Sequence, residues 1–454
     1  MKSAPRGKRP PGHRATSPLL FVFLFACLSV ALLNSFWIDK HLSADGVHYF
    51  RAVLDSGSFF RIDSARTFAE VLVQWPLVLA VRAGATALPA LSAVIALGIY
   101  LPYVLAFALC LFAVRGEGRA VLALPVLSLA CANLPADYLL IGEHHVMLLL
   151  APPILLLILR RTAPTLWDGL FLLLALLLFT RTYPSALFVA PIFAGLLAAR
   201  LYFDRSDRRA NVFRGLALGL SVATVVVGAL SILTPRDATN RDTFRHSLSA
   251  IVAFPEVLVP ALFSVLFLLG LASRRREVLA LPALAFVVYL PLAFGTDHGL
   301  SALASVSTKT LSVTLLPALV LLTVFAHARA PSLSGPGEAL LLAMVLAIVS
   351  WNIRHSRDWS RYRDDMKAVL GTEKGYVPVE RTELDHNPCR WSWTSPELSV
   401  VWSWPVVRAI VRNRVDEPWE PFDPKRSLVL KRYVLYDPVF AGVDPAARIE
   451  GSPR

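Results

Sequence analysis

Long apolar runs alternate with short polar breaks along most of the chain. The first is Leu19–Trp37. Others follow at 90–114, 119–136, 144–160, 166–180, 185–202, 212–233, 251–272, 278–294, 311–328 and 338–351. About 20 apolar residues in a helix cross a ~30 Å hydrocarbon core. The pattern predicts a mainly α fold, a polytopic membrane helical bundle of about eleven spans. Short runs such as 166–180 need a thin bilayer or help from flanking residues.

The breaks between runs divide the chain. Residues 1–17 form a basic, proline-rich tail, expected to be cytoplasmic. A cleaved signal peptide is the competing reading of the first run. Its apolar core is too long and lacks a small-residue exit, so a retained helix is expected. Residues 18–351 then make the membrane domain, with a long first outer loop at 38–89. Inside that loop, "TFAEVLVQWPLVLAVRAG" carries Glu70, Gln74 and Arg82, which predicts one or two interfacial helices rather than a span. Residues 352–454 form a tryptophan-rich outer domain, whose "SLVLKRYVLY" reads as a strand in a small α/β appendage. Its "PELSVVWSWPVVRAIVRNR" reads as an amphipathic helix at the membrane surface, and Trp391 and Trp393 suit a sugar platform or a packed core equally.

Composition agrees with a membrane class. Hydrophobic residues make up 56% and charged residues 17%, against about 25% charged in a soluble domain. The formal charge of +13 could suggest nucleic acid, but the bases sit between apolar runs and no nucleic-acid partner is expected. Arg115 and Arg119, Arg160 and Arg161, Arg205, Arg208 and Arg209, Arg274 to Arg276, and Arg329 fall in alternate loops. The opposite loops are poor in bases, apart from Arg236, Arg241 and Arg245. The positive-inside rule then places the N-terminus in the cytoplasm, and an odd span count places the C-terminal domain outside. Cys27, Cys110, Cys131 and Cys389 form no CxxC or Cys/His cluster, so neither a disulfide framework nor a zinc site is expected. No Walker loop or GxGxxG occurs, and no cofactor is expected.

On this topology the unusual polar residues gather in four outer turns. Asp45, His48 and Tyr49 lie in "SADGVHYF"; Asp137, Tyr138, Glu143, His144 and His145 lie in "ADYLLIGEHHVM". Arg181 and Tyr183 lie in "TRTYPS", and Asp297, His298 and Lys309 come later. Each has a plainer reading: Asp45 and the Glu143 triplet as helix caps, Arg181 as an interface anchor, the rest as loop charges. Metal binding by Glu143, His144 and His145 is disfavoured, since adjacent helical side chains diverge by about 100°.

The arrangement resembles the GT-C superfamily of integral-membrane glycosyltransferases, which use polyprenyl-phosphate-linked sugars. A first span, a long outer loop with an early acid, interfacial helices, further spans and an outer C-terminal piece carry the resemblance. Such enzymes commonly hold a catalytic Asp in the first outer loop, often in an acidic pair before an aromatic residue. In "ADGVHYF" that implies Asp45 as the acid and Tyr49 as the aromatic, with Gly46 where a second acid often stands. The resemblance implies an inverting glycosyltransferase at the outer face of a bacterial inner membrane. It would move a sugar from a polyprenyl-phosphate-linked donor to an envelope lipid, glycan or protein acceptor. Asp45 would be the base, with Arg181 and Lys309, helped by His144 or His145, on the donor phosphate. His48, Tyr49, Glu143 and Tyr183 complete the candidate substrate contacts. A lipid-linked saccharide transporter or flippase, and a non-catalytic envelope scaffold, are the rivals.

Overall fold

The computed structural model describes residues 18–43, 45–61, 66–115, 119–134, 143–160, 164–204, 207–233, 255–273, 276–295, 302–329, 333, 335–387, 389–390, 394–412, 414 and 433–440. The chain is a mainly α-helical polytopic membrane bundle. Six of its helices are long and apolar enough to cross a bilayer: Leu19–Trp37, Leu88–Ala113, Pro184–Phe203, Arg208–Leu233, Glu277–Gly295 and Gly335–Thr372. Five shorter apolar helices accompany them: Ala120–Cys131, His144–Leu159, Leu166–Phe179, Leu258–Ser273 and Thr314–Ala328.

Counting α-helices in chain order, α1 is Pro18–Trp37, α2 Asp45–Ser56, α3 Thr67–Arg82 and α4 Leu88–Ala113. The short α5, Ala123–Leu127, runs into a π-helical turn at Ser128–Asn133. Next come α6 (Glu143–Leu159), α7 (Leu166–Phe179), α8 (Ala190–Phe203) and α9 (Arg208–Leu233). Then α10 (Pro255–Ser273), α11 (Ala280–Gly295), α12 (Ala302–Arg329) and α13 (Gly335–Thr372) follow, with α14 (Ser395–Trp402) last.

Burial along these helices shows which faces meet lipid. In the most apolar stretch of α9 only 22% of residues are buried, and Val212, Leu216, Val222, Val226 and Leu230 are exposed. A soluble surface would not carry such a patch, whereas hydrocarbon solvates it at no cost. The corresponding stretch of α13 is 50% buried, and this helix packs along α1. The Phe25 and Phe107 rings stack with centroids 4.2 Å apart and join α1 to α4. At Gly98 the backbones of α4 and α3 touch: a methyl there would be driven into the Val73 carbonyl. Backbone contact of this kind is how helices associate in lipid, where hydrophobic attraction between them is missing.

Two helices, α2 and α3, occupy the described parts of the first long loop. The run expected to span at 338–351 belongs to a helix that continues unbroken to Thr372. Beyond it, β1 (Gly375–Pro378) pairs in parallel with β3 (Ala409–Arg412), and β2 (Val406–Val407) with β4 (Leu435–Tyr436). The expected surface helix in "PELSVVWSWPVVRAIVRNR" is corrected. Only α14 is helical, it is buried from Ser395 to Val400, and the chain then turns into β2 and β3. Pro405 cannot continue a helix, and the β-branched Val406, Val407, Ile410 and Val411 suit strands. Trp391, Trp393, Asp137, Tyr138, Asp297 and His298 lie outside the described residues.

Candidate functional site

Asp45 is the first residue of α2, so His48 and Tyr49 follow it at i+3 and i+4, on one helical face. The side chain of Asp45 is outside those described. Tyr49 is fully buried, and its ring meets Phe60 edge-on at 5.6 Å. The Phe60 ring also meets His48, at 5.2 Å. Gln74 of α3 fixes Phe60: the Phe60 amide donates to Gln74 Oε1 at 2.8 Å, and Gln74 Nε2 donates to the Phe60 carbonyl at 2.9 Å. A buried glutamine amide thus replaces the missing ladder partner of an irregular turn.

The C-terminal part reaches this helix through Glu397 of α14. Its buried carboxylate lies 3.1 Å from Arg51 Nη1 and 3.4 Å from His48 Nδ1. Sequence reasoning did not single out Glu397 or Arg51. The only signal available was an acid in the first turn of an otherwise apolar helix, and its partners are over 300 positions away.

A second group gathers where α6 begins. His144 and His145 are buried with ring centroids 4.0 Å apart, and His144 meets the Tyr183 ring at 6.1 Å. The Arg66 guanidinium stacks over Tyr183 at 5.3 Å. Beside it, the Phe68 amide donates to the Arg181 carbonyl at 3.1 Å, so the turn after α7 is sewn to the start of α3. The Arg181 side chain is exposed. Lys309 lies on α12 and Glu143 opens α6, and both side chains are outside those described. The first loop, the start of α6 and the turn after α7 therefore meet around α3.

The end of α1 adds a third polar group at the same pole. Lys40 is fully buried, with Nζ donating to Ser356 Oγ of α13 at 3.4 Å. Trp359 Nε1 donates to the Ile38 carbonyl at 2.9 Å, and Asn352 Nδ2 to the Leu134 carbonyl at 3.1 Å. His41 Nε2 sits 2.8 Å from Ser92 Oγ of α4. Lys40 and His41 directly follow the first apolar run, which was the available signal, but in sequence they look like ordinary flanking charges.

Burial pushes the His41 imidazole down to about 3, against a smaller upward pull from Ser92. An unfolded histidine titrates near 6.5. Between those values the unfolded chain binds the extra proton, so folding loses up to about 1.4 kcal/mol per pH unit as pH falls below about 6.5. Thermal melts of the purified protein from pH 7 to 4 should show this slope, flattened in His41→Gln. Equal slopes for both proteins would remove His41 as the cause.

Among the described residues, no three His, Cys, Asp or Glu side chains come together to hold a metal. The chain matches no known family model, no curated protein and no solved structure.

Proposed function

We propose that the chain is an inverting membrane glycosyltransferase of GT-C type, moving a sugar from a polyprenyl-phosphate-linked donor to an envelope acceptor. The observation that carries the reading is the setting of α2. The helix opens on Asp45 and is held between the bundle, through Phe60 and Gln74, and the C-terminal part, through Glu397. An aspartate that opens a helix anchored in this way is a candidate to remove a proton from an acceptor hydroxyl while a phosphate departs.

In this reading the six long and five shorter apolar helices make eleven spans. The N-terminus is cytoplasmic, the C-terminal part is outside, and the membrane is a bacterial inner membrane. Arg66, Arg181 and Lys309 neutralise the donor phosphate, with His144, His145 and Tyr183 around it. Glu143 and His48 complete the substrate contacts, and Tyr49, fully buried against Phe60, positions α2.

The test uses purified full-length protein in vesicles with a radiolabelled polyprenyl-phosphate sugar and extracted envelope acceptors. Label should leave the lipid and appear on an acceptor, with polyprenyl phosphate released in equal amount. Label that crosses the bilayer while staying on its lipid would overturn transfer in favour of a flippase.

A further inference from the structure

α6 runs from His144 at one pole to Leu159 at the other, about 22 Å at 1.5 Å per residue, and Arg160 follows it. At that far pole the end of α6, the start of α7, the end of α8 and the start of α9 enclose a cleft. Its enclosed part is small, about 40 Å³, and the rest is a shallow mouth open to solvent. Arg160, Arg200, Arg209 and Arg214 line it, with Asp168 as the one carboxylate in the lining.

Several of these cations have structural duties. Arg160 and Arg115 both bind the Asp168 carboxylate. Arg200 Nη2 donates to the carbonyls of Leu159 and Arg160 at 2.9 and 3.1 Å, closing the end of α6, and its Nη1 reaches Asp204 at 3.0 Å. Arg214 lies 3.3 Å from the same Asp204. Arg209, exposed at the mouth, has no hydrogen-bond or ion-pair partner among the described residues. Five guanidiniums thus stand against three carboxylates, Asp168, Asp204 and Asp207, the last accepting from the Ala210 amide at 3.1 Å, and the cleft keeps a positive excess.

Below the arginines the wall turns apolar, with Leu157, Leu172, Leu197 and Phe213. Gly169 makes this possible: a methyl there would strike the Phe213 ring, which lies against α7. Outside the mouth, Trp167, Tyr202 and Phe203 are 62%, 65% and 78% exposed. Aromatic side chains left bare at helix ends mark headgroup depth.

From these observations we infer that the mouth of the arginine cleft seats the headgroup of an anionic glycerophospholipid, its phosphate on Arg209 beside Arg214 and its acyl chains along the exposed Trp167, Tyr202 and Phe203. Zwitterionic lipid offers the same chains, but its ammonium offsets the phosphate charge that the excess arginines attract. Free inorganic phosphate shares the anionic chemistry and lacks the apolar half. The inference rests on membrane embedding alone and is independent of the proposed sugar transfer.

Native mass spectrometry of the full-length protein, released from mixed micelles of phosphatidylglycerol and phosphatidylcholine, tests it. Phosphatidylglycerol should be retained preferentially. Arg209→Gln should lower that retention about fivefold with an unchanged melting temperature. Arg381→Gln, a charge loss on the exposed surface beyond α13, should leave retention as it was. Equal retention of the two lipids, or an Arg209→Gln protein that binds as the parent does, would overturn the site. Displacement of phosphatidylglycerol by millimolar inorganic phosphate would overturn the lipid as occupant and assign a free anion.

Discussion

Asp45→Asn should lower sugar transfer by about 10²–10⁴-fold, the usual worth of a positioned general base. An unperturbed aspartate has a pKa near 3.9, so it is ionised and only weakly basic at neutral pH. Apolar surroundings would strengthen it as a base, and neighbouring arginine or lysine would weaken it. Asn keeps the size and part of the hydrogen bonding but cannot hold the proton. Folding and donor binding should therefore stay near the parent values. Tyr49→Phe should be far milder, because the buried ring packs on Phe60 and only its hydroxyl is lost. The measurement is turnover of purified protein with donor and acceptor saturating. Parent-like turnover by Asp45→Asn would sink the catalytic-base reading.

Asp168→Ala should be the most damaging single change to stability, at about 3–5 kcal/mol. The carboxylate is 4% exposed and accepts from Arg115 at 3.0 Å, from Arg160, from the Thr165 amide at 2.6 Å and from the Thr165 hydroxyl at 2.7 Å. It also forms a capping box, its own amide donating to Thr165 Oγ1. Truncation leaves the buried Arg160 charge without its carboxylate and opens the start of α7 at the same time. Asp168→Asn, which can keep the cap while losing the charge, should cost less. Reversible unfolding in mixed micelles measures both, and a loss under about 1 kcal/mol for the alanine variant would contradict the account.

The membrane bundle was legible because hydrocarbon imposes a harsh rule: a spanning backbone must satisfy its own hydrogen bonds, so apolar runs become helices. Runs expected at 144–160 and 166–180 are helices at Glu143–Leu159 and Leu166–Phe179. The π turn at Ser128–Asn133, inside the run expected at 119–136, was not legible, since local composition says little about which carbonyl an amide selects. His48 and Tyr49 stood out by their place beside Asp45. Glu397 and Arg51 did not, because a pairing across more than 300 residues leaves no local periodic trace. The α14 segment shows the same limit. "VVWSW" satisfies an interfacial pattern, yet Ser399 accepts from the Val411 amide at 3.0 Å and draws that segment into a core.

The unbroken 38 residues of Gly335–Thr372 also have a mechanical meaning. At 1.5 Å per residue the helix is about 57 Å long, and a ~30 Å hydrocarbon core accounts for only about half of it. With no loop to absorb rotation along its length, it acts as a stiff lever. A tilt of about 10° would move the tip of its outer half by roughly 5 Å, together with the end of α1 that Ser356 and Trp359 hold to it. Whatever tilt its packing against α1 imposes on this helix is thereby carried outward to the chain that holds Glu397 against α2.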